Sequence, residues 1–478
     1  MKVPDMQPID KLREYTNTVC SQIRWKKARE AVSEEIHSHL MDQREAYIQE
    51  GATEDGATEQ AIADMGDPVT VGTQLDRVHR PKPQWGMLGL ILVMVVVGLC
   101  LRALVLEDLI TLHRKATVSG IQTEFVLLGM GTLLVAYFAD FTFMGKYPKV
   151  LYFGLLALVV IMFYWETQYQ TTPSFLNRYY YLSVYCSLLF PVVFSGVIYT
   201  MREKGLTGIA ICLAACFLPA FLLWRGWGGV NDLFGAVLIT GSGGILLGIA
   251  LMKDWFKSNR LQSRLLIYSS FLGASALLIV LALRTPYTFT QIKVLLRLDS
   301  GPGGYDYLTL IVKSLLSNAK LVGTGTVPAQ YAAYFPLPVI QTDFFLTYLI
   351  YRMGWLAFGV VMALIIAFIL IGVKQCLSQK SVLGQLVSVS VLLTFTFQTV
   401  HYIGYNLGFI FLTPMPLPFF SYGGAAMVVN MGLIGLMLSV FRNGSAARDR
   451  MLSTSARRPF ITWRQRKLVI DFGRKHED

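Results

Sequence analysis

Beyond about residue 85 the chain consists mainly of apolar runs of about 20 residues, the helix length needed to cross roughly 30 Å of hydrocarbon. About ten can be counted, near 86–106, 121–141, 148–165, 179–200, 206–224, 232–252, 265–284, 343–372, 384–411 and 419–441. Within a bilayer each backbone N–H and C=O has to be bonded inside the protein, so such runs fold as helices. At 54% hydrophobic and 15% charged residues the chain cannot solvate a globular surface of its own. The expected fold class is therefore all-α: a polytopic membrane protein of about ten transmembrane helices behind a small helical domain.

The first run follows a polar stretch of about 80 residues, so it does not read as a cleavable signal peptide, and the N-terminal segment is expected to stay in the cytoplasm. With that orientation the inner loops hold Lys146, Lys149, Arg202, Lys204, Lys253, Lys257, Arg260, Arg264, Lys374 and Lys380, opposed by Glu203 and Asp254. The outer loops balance, with Glu107 and Asp108 against Arg114 and Lys115, Glu166 against Arg178, and Asp232 against Arg225. This is the positive-inside pattern, and about ten spans return the basic tail, residues 442–478, to the cytoplasm. The net charge of +12 is accounted for by attraction to an anionic inner leaflet rather than to nucleic acid. The six cysteines have neither disulfide nor zinc spacing and read as small packing residues. No cofactor and no metal site are expected.

Residues 1–80 read as a cytoplasmic helical domain, and residues 81–85, with Pro81 and Pro83, as a linker. Helical spacing runs through Ile9, Leu12 and Tyr15, then through Ala31, Ile36, Leu40 and Tyr47 up to Gly51. A third helix is expected around Thr58–Met65, and Asp67-Pro68 opens a fourth with proline in its first turn. His37 and His39 are two apart, which points their rings in different directions rather than at one metal. The layout, with the stretch from Glu34 to Leu40 and Gly66-Asp67-Pro68, resembles the prefix domain ahead of bacterial permease-like proteins, which implies docking or regulation.

The stretch 285–342 is the long outer loop, and long loops in compact proteins are usually functional or disordered. Ile292–Leu298 and Leu308–Leu321 are apolar with Lys293, Arg297, Lys313 and Lys320 at helical spacing, as in helices lying in a membrane interface. Such lysines either snorkel towards headgroups or offset the charge of a bound substrate. Directly after the loop, Asp343 stands at the mouth of the next span. It can be read as an N-cap of that helix or as a reactive acid.

Gly323-Thr324-Gly325, Leu337-Pro338, Thr342-Asp343-Phe344 and the string Pro416-Leu417-Pro418-Phe419-Phe420-Ser421-Tyr422-Gly423-Gly424 occur in this order. Together they resemble the SEDS family, which contains FtsW, RodA and SpoVE. The resemblance is good over about 300–440 and implies a ten-helix membrane domain, residues 86–441, with the large outer loop between helices seven and eight. It implies a peptidoglycan glycosyltransferase that polymerises lipid II, in the bacterial plasma membrane, together with a class B penicillin-binding protein. The family's essential acid falls on Asp343, whose implied role is to deprotonate the acceptor hydroxyl. Thr342, Lys313, Lys320, Arg178, Arg352, Ser421 and Tyr422 are the candidate substrate-binding residues.

This chain also departs from the family pattern. Val339 and Gln341 stand for the Glu and His ahead of Thr-Asp, Tyr351-Arg352 for an acidic pair after it, and Tyr402 for an Asn in span nine. Thr172-Pro173-Ser174-Phe175-Leu176-Asn177-Arg178 keeps the basic end of a further motif, in Arg178, and loses its acid. A divergent paralogue results, for which a non-catalytic scaffold or sensor, or a translocator of lipid-linked precursor, are the alternative readings.

Overall fold

A computed structural model of the chain describes residues 8–79, 83–112, 117–168, 173–225, 233–284, 307–327, 342–409, 415–421, 423–443, 461–464 and 467–470. The chain divides into two units, residues 1–80 with 446–478, and residues 81–445.

The first unit contains α1 (Pro8–Gln22), α2 (Lys26–Gln49), α3 (Glu54–Met65) and α4 (Pro68–His79). The apolar stripes converge on a core of Leu12, Val19, Ile23, Val32, Ile36, Leu40 and Ala61. Two caps set the helix starts, each satisfying an amide with no partner inside its helix. Thr53 Oγ1 accepts from Gly56 N at 3.3 Å, and Asp67 Oδ2 accepts from Thr70 N at 2.8 Å. The same Asp67 oxygen accepts the Thr70 hydroxyl at 2.7 Å, and both contacts hold the carboxyl below its ordinary pKa. The tail adds a feature that an all-α reading does not contain, an antiparallel hairpin of β1 (Ile461–Arg464) and β2 (Lys467–Ile470) that pairs Ile461 with Ile470.

The membrane unit begins with α5 (Trp85–Leu112), inside the expected linker, followed by α6 (Thr117–Phe138), the single turn α7 (Phe143–Lys146), α8 (Pro148–Gln168), α9 (Pro173–Met201), α10 (Gly205–Arg225), α11 (Leu233–Met252) and α12 (Arg260–Arg284). It continues with α13 (Tyr307–Ser317), α14 (Phe345–Met353), α15 (Trp355–Leu377), α16 (Val382–Asn406) and α17 (Gly424–Asn443). Each expected apolar run overlaps one or two of these helices. Among the described residues six helices (α5, α10, α11, α15, α16 and α17) are long and apolar enough to cross a membrane. Leu127, Val135, Phe153, Leu272, Leu356 and Leu370 are all more than half exposed. In water these would make an extensive apolar surface, whereas against lipid they are solvated. The protein is a multi-pass membrane protein.

The run expected as one helix over 343–372 is two, broken at Gly354, whose φ of +94° is a left-handed conformation suited to glycine. A Cβ there would strike the Leu321 carbonyl, because the segment around Leu321–Gly325 packs into the break. The amides of Gly323 and Gly325 donate to the carbonyls of Met353 and Tyr351, at 3.1 and 2.8 Å, and so satisfy the end of α14. In return the amides of Trp355 and Leu356, at the start of α15, donate to Lys320 and Leu321 carbonyls, each at 3.1 Å. The segment Lys320–Gly325 therefore splices a broken helix, the Gly-Thr-Gly motif supplying the donors and Lys320 and Leu321 the acceptors that a bilayer cannot. Two further boundaries differ from expectation. α13 ends at Ser317, leaving Lys320 outside a helix, and α17 starts at Gly424 rather than 419, since Pro416 and Pro418 keep the preceding segment non-helical.

Candidate functional site

Asp343 lies two residues ahead of α14 and is 8% exposed. It does not cap that helix: the residue in the capping position is Phe344, and no side chain there makes a capping bond. The acceptor for the start of α14 comes from another helix. Asn406, fully buried at the last residue of α16, accepts the amide of Thr347 on Oδ1 at 2.9 Å. Its Nδ2 donates to the Asp343 carbonyl at 2.8 Å and to the Tyr402 carbonyl at 3.0 Å. The Thr347 hydroxyl closes the arrangement by donating to the Asn406 carbonyl at 2.8 Å.

One turn earlier on α16, the Tyr402 hydroxyl donates to the Thr342 carbonyl at 2.8 Å. Both carbonyls flanking the Thr342–Asp343 step are thus held by α16, and the Asp343 backbone is fixed without its carboxyl. The Thr342 side chain hydrogen-bonds that carboxyl, and Tyr402 lies within electrostatic reach of it.

Ser421 is buried, takes the Leu417 amide on its hydroxyl at 2.6 Å, and also bonds Tyr402. It shapes the Pro-rich turn around the cluster. That turn contains Phe419 at φ +70°, a conformation that costs a non-glycine residue about 1–3 kcal/mol. Its carbonyl lies against Gly98 of α5, where a Cβ would collide with it, and accepts from Arg102 Nη2 at 2.6 Å. Gln398, fully buried one turn before Tyr402, donates to the Pro416 carbonyl at 2.8 Å.

The other candidates lie apart from this cluster. Lys313 is exposed on α13 with its stem beside Gly408, and Lys320 is exposed after that helix. Among the described residues no contact joins either to Asp343. Arg352 is exposed at the far end of α14, where Nη1 donates to Thr324 Oγ1 at 2.8 Å. It belongs to the helix splice. Arg178 lies in α9, with its side chain outside the described residues, and Tyr422 is outside them altogether. Asn406, Gln398 and Arg102 are additions that sequence reasoning missed. The first two form a stripe with Tyr402 at four-residue spacing on α16, and Arg102 is an arginine inside an apolar run; both patterns are visible once sought.

This architecture defines a class: a multi-pass helical membrane protein with a buried polar cluster where α14 begins and α16 ends. Residues 231–446 match the model of the cell cycle protein family FtsW/RodA/SpoVE, the SEDS family whose motifs the sequence resembles. Every member of the cluster except Arg102 falls inside it. Stage V sporulation protein E of Bacillus subtilis (strain 168) is 24% identical over 202 residues, 42% of this chain and 54% of that protein. The peptidoglycan glycosyltransferase MrdB of Escherichia coli (strain K12) is 26% identical over 235 residues, 49% of this chain and 60% of that protein. The chain thus spans about half the length of these curated relatives. The fold is also that of a chain in a solved peptidoglycan synthase complex that coordinates polymerization and crosslinking. The TM-score is 0.52 at 17% identity, over 77% of this chain and 99% of that one.

Proposed function

We propose that this protein is a peptidoglycan glycosyltransferase that polymerises lipid II, with Asp343 as its catalytic base. The observation that carries the reading is the Asp343 environment. The backbone on both sides is held by Tyr402 and Asn406, and helix capping is done by Asn406, so the carboxyl is left for chemistry. The curated relatives that are named peptidoglycan glycosyltransferases support the same reading.

In the proposed reaction the acceptor sugar's 4-hydroxyl oxygen attacks the anomeric carbon of the donor. As that C–O bond forms, the bond to the lipid pyrophosphate breaks and the hydroxyl proton passes to the Asp343 carboxylate. A carboxylate contributes as a general base by receiving the proton while the new bond forms, an effect worth about 10²–10⁴-fold in rate. Thr342 holds the carboxyl, while Lys313 and Lys320, exposed and apart from the cluster, would offset the charge of the leaving pyrophosphate from the outer loop. The protein would act in a bacterial plasma membrane with both termini in the cytoplasm and a class B penicillin-binding protein beside it. Residues 1–80 would serve docking or regulation.

The test is glycan polymerisation from purified lipid II, with and without candidate penicillin-binding partners. Polymer from wild type and none from Asp343→Asn supports the reading. Lipid II that is bound but never polymerised, under every partner condition, would replace it with the scaffold or sensor.

A further inference from the structure

Arg102 is a cation inside the membrane unit with no counter-charge among the described residues. It stands on α5, 17 residues after Trp85 and so about 25 Å along the helix at about 1.5 Å per residue. Nη2 is spent on the Phe419 carbonyl, Nε is buried without a hydrogen-bond partner, and among the described residues no carboxylate lies within ion-pair distance. A charged residue in a bilayer is costly unless it is paired or serves a ligand. An Nε–H buried without a partner adds a desolvation cost of its own.

The surroundings are polar on the side that matters. Arg102 lies within electrostatic reach of Tyr402, which in turn faces Asp343. The turn carrying Phe419 is shaped to receive the arginine, since Gly98 makes room for the very carbonyl that Nη2 binds. That bond orients the guanidinium and leaves further donors of its planar fork for an anion, the geometry in which arginine recognises phosphate.

We infer that Arg102 is a substrate-binding residue that holds a phosphate of a lipid-linked pyrophosphate at the turn carrying Phe419. This rests on the polymerase reading for the choice of anion, because there the leaving group is a polyprenyl pyrophosphate whose charge has to be offset as the glycosidic bond forms.

The experiment compares binding of undecaprenyl pyrophosphate and uncharged undecaprenol to the full-length protein in detergent. Wild type is expected to prefer the pyrophosphate at least tenfold, and R102Q to lose most of that preference while binding undecaprenol as before. An unchanged preference in R102Q, or none in wild type, overturns the inference. Should R102Q fail to fold, R102K decides. A lysine has no fork with which to hold both the Phe419 carbonyl and an anion, so pyrophosphate binding should weaken about tenfold with undecaprenol binding constant; equal pyrophosphate binding overturns the assignment. Glycan synthesis is measured on the same preparations. Arg102-dependent preference without polymerisation sinks the polymerase and leaves the anion site standing, and polymerisation with an unchanged R102Q preference does the reverse.

Discussion

Asn406 holds Asp343 by its backbone: Nδ2 donates to the Asp343 carbonyl at 2.8 Å, while Oδ1 of the same side chain caps α14 through the Thr347 amide. One buried amide thus positions the acid and frees its carboxyl from the role that an Asp ahead of a helix commonly has.

Because the carboxyl is not a cap, Asp343→Ala should leave the thermal midpoint of the purified protein within about 2 °C of wild type. Losing a true N-cap would cost about 1 kcal/mol. Polymerisation of lipid II by the same variant should fall by at least about 10²-fold. A marked loss of stability alongside activity would return Asp343 to a structural role.

Asn406→Ala should act the other way. It strands the Thr347 amide and the Asp343 carbonyl in a buried site, at about 1–3 kcal/mol for each orphaned group. The midpoint should drop by several degrees and activity should fall with it. Asn406→Asp turns the Nδ2 donor into an oxygen facing the Asp343 and Tyr402 carbonyls in a fully buried site, so it should be no more stable than Asn406→Ala in a thermal unfolding series.

Gly354→Ala tests the splice between α14 and α15. It forces a Cβ at φ +94° and into the Leu321 carbonyl, so a cost of about 1–3 kcal/mol is expected. Hydrogen exchange should rise at Gly323, Gly325, Trp355 and Leu356, whose amides cross the break. Exchange that rises elsewhere and spares these four would disprove the splice.

In the first unit, the Thr70 hydroxyl and amide hold the Asp67 carboxyl below its ordinary range. A depressed folded pKa contributes stability that is full above the unfolded value, about 3.9, and is lost as pH falls through the folded one. Protection of the α4 amides, corrected for intrinsic exchange rates, should therefore be level from pH 7 to about 5 and decline below about 4. Asp67→Ala should be lower at neutral pH and lack that decline.

The helices of both units were legible in the sequence because their causes are local. Apolar run length fixes a span through the cost of unpaired backbone in hydrocarbon, and Asp67-Pro68 fixes a helix start through its own side chain. Asp343 was legible as a candidate from Thr342-Asp343-Phe344. Tertiary structure alone decided what that acid is left to do. Its carbonyl is bonded from 63 residues away by Asn406, and Phe419 meets Arg102 across 317. It also showed that the run after Asp343 is two helices, since Gly354 could end a helix only once the Leu321–Gly325 segment was there to bond both broken ends. Hydrophobic period and capping residues are read within a turn or two of chain, whereas satisfaction of a buried polar group depends on whichever distant segment the packed bundle brings to it.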